Sequence, residues 1–210
     1  MIGIYGGTFD PIHFGHLRPA LDVLQSLQLE QVRFIPCGNP PHRDPPFASS
    51  AHRLQMLQRA VDGISPFVID DREIRRGGTS YMVDTVQSLQ QEFSEAKFAL
   101  IVGLDAFIEF HTWKDWQVLV QRVSLVVTQR PNTEIDTSQW HDDLVEYVRA
   151  SREDDVAAFV RRESPAVYFC PVTQLDISST HIRELVANGQ RIDFLLPSSV
   201  VDYIEQNSIY

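Results

Sequence analysis

Two histidines three residues apart, set behind a pair of glycines, are the first groups in this chain able to do chemistry. The run is Gly6-Gly7-Thr8-Phe9-Asp10-Pro11-Ile12-His13-Phe14-Gly15-His16. It follows a short apolar stretch, Ile2 to Tyr5, and leads into a helical pattern. Adjacent glycines let a backbone come close to a ligand and allow positive φ. A helix start directs free N–H groups and positive dipole at whatever lies above it, which suits phosphate. Imidazole N–H groups donate to phosphate oxygens without adding bulk. Other chemistries fit less well. No Gly-Lys-Ser/Thr follows, so the run is no Walker loop. The G-x-G-x-x-G spacing of dinucleotide folds is absent. Zinc needs further ligands at recognisable spacing, and no cysteine pair or His-Glu-x-x-His supplies them. Two surface histidines at a helix cap are the plain alternative.

Three more stretches carry chemistry. In Ile177-Ser178-Ser179-Thr180-His181-Ile182-Arg183 a hydroxyl cap precedes an arginine by about one helical turn. That pairing makes a second phosphate clamp, although capped helices with arginine are common for structural reasons. Pro36-Cys37-Gly38-Asn39-Pro40-Pro41-His42-Arg43 closes a region, Gln31 to Arg43, without a single acid, which suits an anion. In Val102-Gly103-Leu104-Asp105, Gly103 admits a nucleotide closely, and Asp105 accepts from a ribose hydroxyl or favours a helix start. Trp113 and Trp116 follow, around Lys114.

These groups need a scaffold. Ile2–Tyr5, Gln31–Ile35, Phe67–Asp70, Phe98–Val102, Ser124–Thr128 and Val167–Phe169 read as strands. Between them lie helical patterns, such as Leu17, Ala20, Leu21, Leu24 and Leu27. Pro19 is tolerable only in a first turn, which places that helix start near His16. Helices are also expected after a Ser50 cap, carrying Leu54, Leu57 and Val61 and stopping at Gly63, at Met82–Phe93, from Asp105, near Trp116–Arg122, after Ser179 and near Ser198–Gln206. The alternation predicts an α/β doubly wound parallel sheet with a small C-terminal helical elaboration. Ligands then sit beyond the strands' carboxyl ends, near the switch point. Residues 1–210 read as a single domain, with a helical insertion at 133–162 that carries two helices.

Composition sets the outer bounds. The 18 basic and 28 acidic residues give a net charge of −10. That excludes a general nucleic-acid or anionic-membrane surface. Glu134 to Asp155 alone holds eight acids against two bases, so much of the excess lies away from the motifs. Two cysteines, Cys37 and Cys170, build no disulfide framework and fit a reducing compartment. No apolar run reaches bilayer length, and Met1-Ile2-Gly3-Ile4-Tyr5 lacks the marks of a signal peptide. The cytoplasm is the expected location.

Taken together, the motifs resemble the nucleotidyltransferase superfamily with the His-x-Gly-His signature. The longer Gly-Gly-Thr-Phe-Asp-Pro-x-His-x-Gly-His form resembles the bacterial nicotinate-nucleotide adenylyltransferases. That resemblance implies a Rossmann-like nucleotidyltransferase fold. It implies transfer of the adenylyl group of ATP to nicotinate mononucleotide, giving deamido-NAD and pyrophosphate. His16, His13 and Arg183 are then catalytic. ATP falls to Gly6, Gly7, Thr8, Phe9, His13, His16, Gly103, Asp105, Ser179, Thr180 and Arg183. The mononucleotide falls to Asn39, His42, Arg43, Thr85, Trp113 and Arg130, with Trp113 stacking on the pyridine ring and the backbone at Thr85 meeting the carboxylate. Mg²⁺ is implied, held mainly by ATP phosphates, with no protein metal ligands. Where members of this family have Pro-Thr-Trp, this chain has His111-Thr112-Trp113, and His111 inherits no role. A monomer and a homo-oligomer are equally compatible with the sequence. A sister transferase for nicotinamide mononucleotide or phosphopantetheine, and a non-catalytic nucleotide sensor, are the alternative readings.

Overall fold

A computed structural model describes residues 1–40, 45–131 and 135–210. Six parallel strands form one sheet: β1 (Ile2–Gly7), β2 (Gln31–Pro36), β3 (Phe67–Ile69), β4 (Phe98–Gly103), β5 (Ser124–Gln129) and β6 (Val167–Pro171). Their order is β3-β2-β1-β4-β5-β6. β1 therefore pairs with β2 on one side and β4 on the other. The order reverses there, so the switch point lies between the carboxyl ends of β1 and β4.

Both sheet faces are covered, and the strands show why. In β4, Ala99 and Ile101 point to one core, while Phe98, Leu100 and Val102 point to the other. Side chains alternate along a strand, so an unbroken apolar run feeds two faces at once. On the first face pack α1 (Phe14–Ser26), α2 (Ser50–Val61), α9 (Ser179–Ala187) and α10 (Ser198–Asn207), through Val23, Met56, Ile182 and Val200. On the second pack α4 (Met82–Glu92), α5 (Leu104–Ile108), α6 (Trp116–Arg122) and α7 (Asp142–Ser151), through Leu89, Phe107, Leu119 and Leu144.

The structure changes several sequence expectations. α1 begins at Phe14, not near His16, which puts Pro19 in its second turn. There it supplies no N–H to the carbonyl of Gly15, and Leu17, Ala20 and Val23 hold the helix on the core instead. A short helix, α3 (Arg72–Arg76), had no apolar period to announce it. The segment read as an insertion at 133–162 contributes α7 and α8 (Val156–Arg161) and connects β5 to β6. Those strands are parallel neighbours. Such neighbours require a long crossover, and this segment lies within it.

Candidate active site

A cavity of about 660 Å³ opens at the switch point. Its floor is the end of β1, from Tyr5 to Thr8, with Gly103 and Asp105 beside it. Glu73, Tyr81, Met82, Trp113 and Lys114 form its walls. Gly6 and Gly7 serve the protein's own packing first. A Cβ on Gly6 would lie 2.6 Å from the Met82 methyl, and one on Gly7 would lie 2.8 Å from the Phe9 ring. Both glycines are the extended end of β1. The left-handed residue of this loop is Phe9, at φ 50°, not a glycine. Its ring is 2 % exposed and lies between Tyr5, Phe34 and His16. Burial of an aromatic ring, worth roughly 2–3 kcal/mol, outweighs a backbone strain of about 1 kcal/mol. Gly103 is different, because a Cβ there meets no protein atom within 4 Å. Its bareness is open toward the cavity.

The two histidines stand together at the start of α1. Their ring centroids are 3.8 Å apart. His13 is 4 % exposed, and His16 is half-buried. Gly15 makes this possible, since a Cβ there would fall 2.9 Å from the His13 ring and 3.0 Å from the Ile177 carbonyl. Nδ1 of each ring is buried without a hydrogen-bond partner among the described residues. Burial pushes His13 down to about 4. Burial, and then the neighbouring His13, hold His16 well below its ordinary range. Both rings are therefore neutral at pH 7, each with one N–H to donate.

This has a consequence for stability. The unfolded chain protonates His13 near pH 6.5, and the folded chain does not until about pH 4. Between those values the unfolded state binds more protons, so stability rises with pH. It is complete above pH 6.5 and is lost as the pH falls toward 4. For His13 alone the loss amounts to about 3 kcal/mol, or a fall in Tm of roughly 6–12 °C. Thermal melts by circular dichroism between pH 7 and pH 4 should show that fall, and a shallower one in His13→Gln. Equal slopes would place the titrating group elsewhere.

The second phosphate motif folds back onto the first. Ser178, not Ser179 or Thr180, caps α9, accepting from the His181 N–H at 3.1 Å. Ser179 Oγ donates to the Pro11 carbonyl at 2.9 Å. Arg183 donates to the Asp10 carbonyl at 2.7 Å and to Thr180 Oγ1 at 3.1 Å. Its guanidinium lies 4.5 Å from the centroid of the Phe47 ring. The carboxylate of Asp10 accepts from the Phe47 N–H at 2.7 Å, the Ala48 N–H at 3.1 Å and the Tyr210 hydroxyl at 2.6 Å. Asp10 is thus a knot between chain segments far apart in sequence, a role that no spacing announced.

A second knot is Arg53 of α2, 1 % exposed. It donates to the carbonyls of Thr8 at 2.7 Å, Cys37 at 2.7 Å and Gly38 at 3.1 Å. One guanidinium so ties the loop after β1 to the loop after β2. Its Nε has no partner among the described residues. The sequence offered only a helical arginine beside Leu54 and Leu57. Glu73 was missed as well: it lines the cavity, accepts from Thr85 Oγ1 at 2.6 Å, and burial pushes its carboxyl up.

The remaining expected residues divide. Thr8, Gly103, Asp105 and Trp113 reach the cavity. Asp105 is not a cap, since Gly103 holds that position before α5. Trp113 packs on Phe110, with ring centroids 4.8 Å apart. Asn39 is exposed, and its carbonyl accepts from the Ser80 N–H at 2.9 Å. His42 and Arg43 lie outside the described residues. Thr85 is fully buried, and its N–H donates to the Tyr81 carbonyl at 3.2 Å. Its amide is therefore spent within α4 and is not free for a carboxylate. The orphan amides of α4 are those of its first residues, Met82 and Val83. Arg130 is exposed beyond β5, donates to Gln174 at 3.1 Å, and stays outside the cavity. Among the described residues, no three His, Cys, Asp or Glu side chains converge to hold a metal. No helix among them is long and apolar enough to cross a membrane.

Comparison with known proteins agrees with this geometry. The cytidylyltransferase-like family model matches residues 4–185. A protein of Methylococcus capsulatus named "Probable nicotinate-nucleotide adenylyltransferase" is 44% identical over 211 residues, covering 100% of this chain and 99% of its own. A namesake from Hydrogenovibrio crunogenus is 39% identical, covering 100% and 97%. The nicotinic acid mononucleotide adenylyltransferase of Plasmodium falciparum, solved complexed with NaAD, superposes with a TM-score of 0.72 at 18% identity, covering 100% of this chain and 96% of that one. At that identity the likeness speaks for the fold alone.

Proposed function

The chain belongs to the cytidylyltransferase-like family of nucleotidyltransferases, among its nicotinate-nucleotide adenylyltransferases, and on that premise we propose the reaction. ATP and nicotinate mononucleotide give deamido-NAD and pyrophosphate, a step of NAD biosynthesis. The observation that carries this reading is the pair of neutral histidines, whose Nδ1 atoms have no partner among the described residues; the His16 ring lies 6.5 Å from that of Tyr5, which lines the cavity together with Trp113.

A phosphate oxygen of the mononucleotide attacks the α-phosphorus of ATP. The new P–O bond forms as the bond to the β-phosphate oxygen breaks, and pyrophosphate leaves with the electron pair. The attacking phosphate is already mostly a dianion at pH 7, because its second pKa is near 6. No general base is needed. The protein's task is to align two anions and stabilise the charge spread over the α-phosphoryl oxygens. His16 and His13 donate there as neutral N–H groups, supported by the positive end of α1. Thr180 and Arg183, with the start of α9, hold the β- and γ-phosphates. Gly103 gives the nucleotide a close approach, and Asp105 accepts from ribose. No three His, Cys, Asp or Glu side chains converge among the described residues, so a divalent ion such as Mg²⁺ would be held mainly by the phosphates of ATP and would supply neutralisation of phosphate charge there. We place the enzyme in the cytoplasm, with its two cysteines free.

Pyrophosphate release measured with ATP against nicotinate mononucleotide, nicotinamide mononucleotide and phosphopantetheine tests the reading. Release is expected with the pyridine mononucleotides. Release with phosphopantetheine alone makes the chain a sister transferase, and no release with any acceptor makes it a sensor. Trp113→Ala should raise KM for the mononucleotide roughly 5- to 100-fold, the loss of one aromatic stack of about 1–3 kcal/mol. KM for ATP should stay within about twofold. Equal rises in both would reduce Trp113 to a packing partner of Phe110.

A further inference from the structure

The charged groups on the cavity wall are mostly of the wrong sign for an acceptor whose ring carries a carboxylate. Glu73, Asp105 and Glu109 line it, against one base among the described residues, Lys114. Thr85 was expected to present its amide to that carboxylate, and the amide is occupied. An acidic wall by itself favours the uncharged amide ring, since like charges repel.

Lys114 is placed to reverse this preference. It follows Trp113 directly and lines the same cavity. Its ammonium lies 4.4 Å from the centroid of the Tyr81 ring and 3.9 Å from Asp84 Oδ2. Tyr81 and Asp84 flank the start of α4, where the amides of Met82 and Val83 have no acceptor within the helix. The ammonium therefore stands beside the positive end of an eleven-residue helix, on the wall that Trp113 shares. It is 45 % exposed and its contact with Asp84 is long, so it can move toward an incoming anion without breaking a strong pair.

We propose that Lys114 is the specificity-determining residue for the acceptor ring, selecting the pyridine carboxylate over the pyridine amide. This rests on the adenylyl-transfer reading above. A lysine charge on the wall that Trp113 shares acts on binding, and on the carboxylate alone. It does not touch the reacting phosphates, so its effect falls on KM and Kd for nicotinate mononucleotide.

The test compares nicotinate and nicotinamide mononucleotides in the wild type, Lys114→Met and Lys114→Arg, by kcat/KM and by Kd from calorimetry. Lys114→Met should lower the nicotinate-to-nicotinamide ratio three- to tenfold by both measures, while Lys114→Arg keeps it within twofold. The Kd ratio stays readable even if turnover is lost. A ratio unchanged in Lys114→Met, with the wild type active, overturns the assignment and leaves the reaction standing. A wild type that turns over neither acceptor overturns the reaction and the assignment together.

Discussion

Replacing His16 by alanine is expected to lower kcat by roughly 10²- to 10³-fold, the cost of one preorganised donor to a transition-state oxygen. The ring is neutral, because burial and His13 hold its pKa well below 6.5. It therefore acts through its N–H and not as a cation. Three results follow from that physical state. KM for both substrates should change less than kcat, since the donor matters most where charge develops. His16→Asn, which keeps an N–H donor, should recover part of the loss. The pH–rate profile of the wild type should show no histidine ionisation near 6.5. Steady-state kinetics across pH 6 to 9 measure all three. A kcat within a few-fold of wild type in His16→Ala would remove the residue from the mechanism.

Arg53→Met is the variant expected to damage the fold and the site together. It leaves the carbonyls of Thr8, Cys37 and Gly38 without their shared donor. Buried acceptors left unpaired cost about 1–3 kcal/mol each. Relief from burying a cation offsets part of that sum. A net loss of about 3 kcal/mol, read by urea unfolding, is the expected result. Because one guanidinium braces both loops, KM for ATP and KM for the mononucleotide should rise in parallel. Arg53→Lys keeps the charge without the planar fork that spans three carbonyls, so it should fall between wild type and Arg53→Met. Stability lost with both KM values unchanged would make Arg53 a packing residue with no bearing on the substrates.

Much of the scaffold was legible because it depends on local periodicity. Phe98–Val102 and Ser124–Thr128 read as buried strands since continuous apolar runs fill two faces of a parallel sheet. The Gly-Gly and His-Phe-Gly-His runs suggest a phosphate site, the expectation that His16→Ala tests, since every group needed lies within one turn-and-helix segment. Boundaries were less legible. α1 starts two residues earlier than Pro19 suggested, because tertiary burial outweighs one missing hydrogen bond. The 133–162 segment reads as an insertion from its acidity and its break in the pattern, and strand pairing alone reveals that it lies in the crossover between the neighbours β5 and β6.

What the sequence determined by itself was the local parts of the proposed chemistry, namely the paired histidines, the capped helix with Arg183 and the tryptophan, together with the alternating pattern that makes a doubly wound sheet. Each lies within about a dozen residues, where spacing and secondary structure set the geometry. What only the tertiary structure decided was how those parts are held and charged. Asp10 reaches Tyr210, 200 residues away; Arg53 spans two loops; Lys114 comes to the start of α4; and the histidines lose their charge by burial. Those properties belong to contacts between distant segments and to the local dielectric. Neither is encoded at any one position, and both exist only once the chain has closed around the cavity.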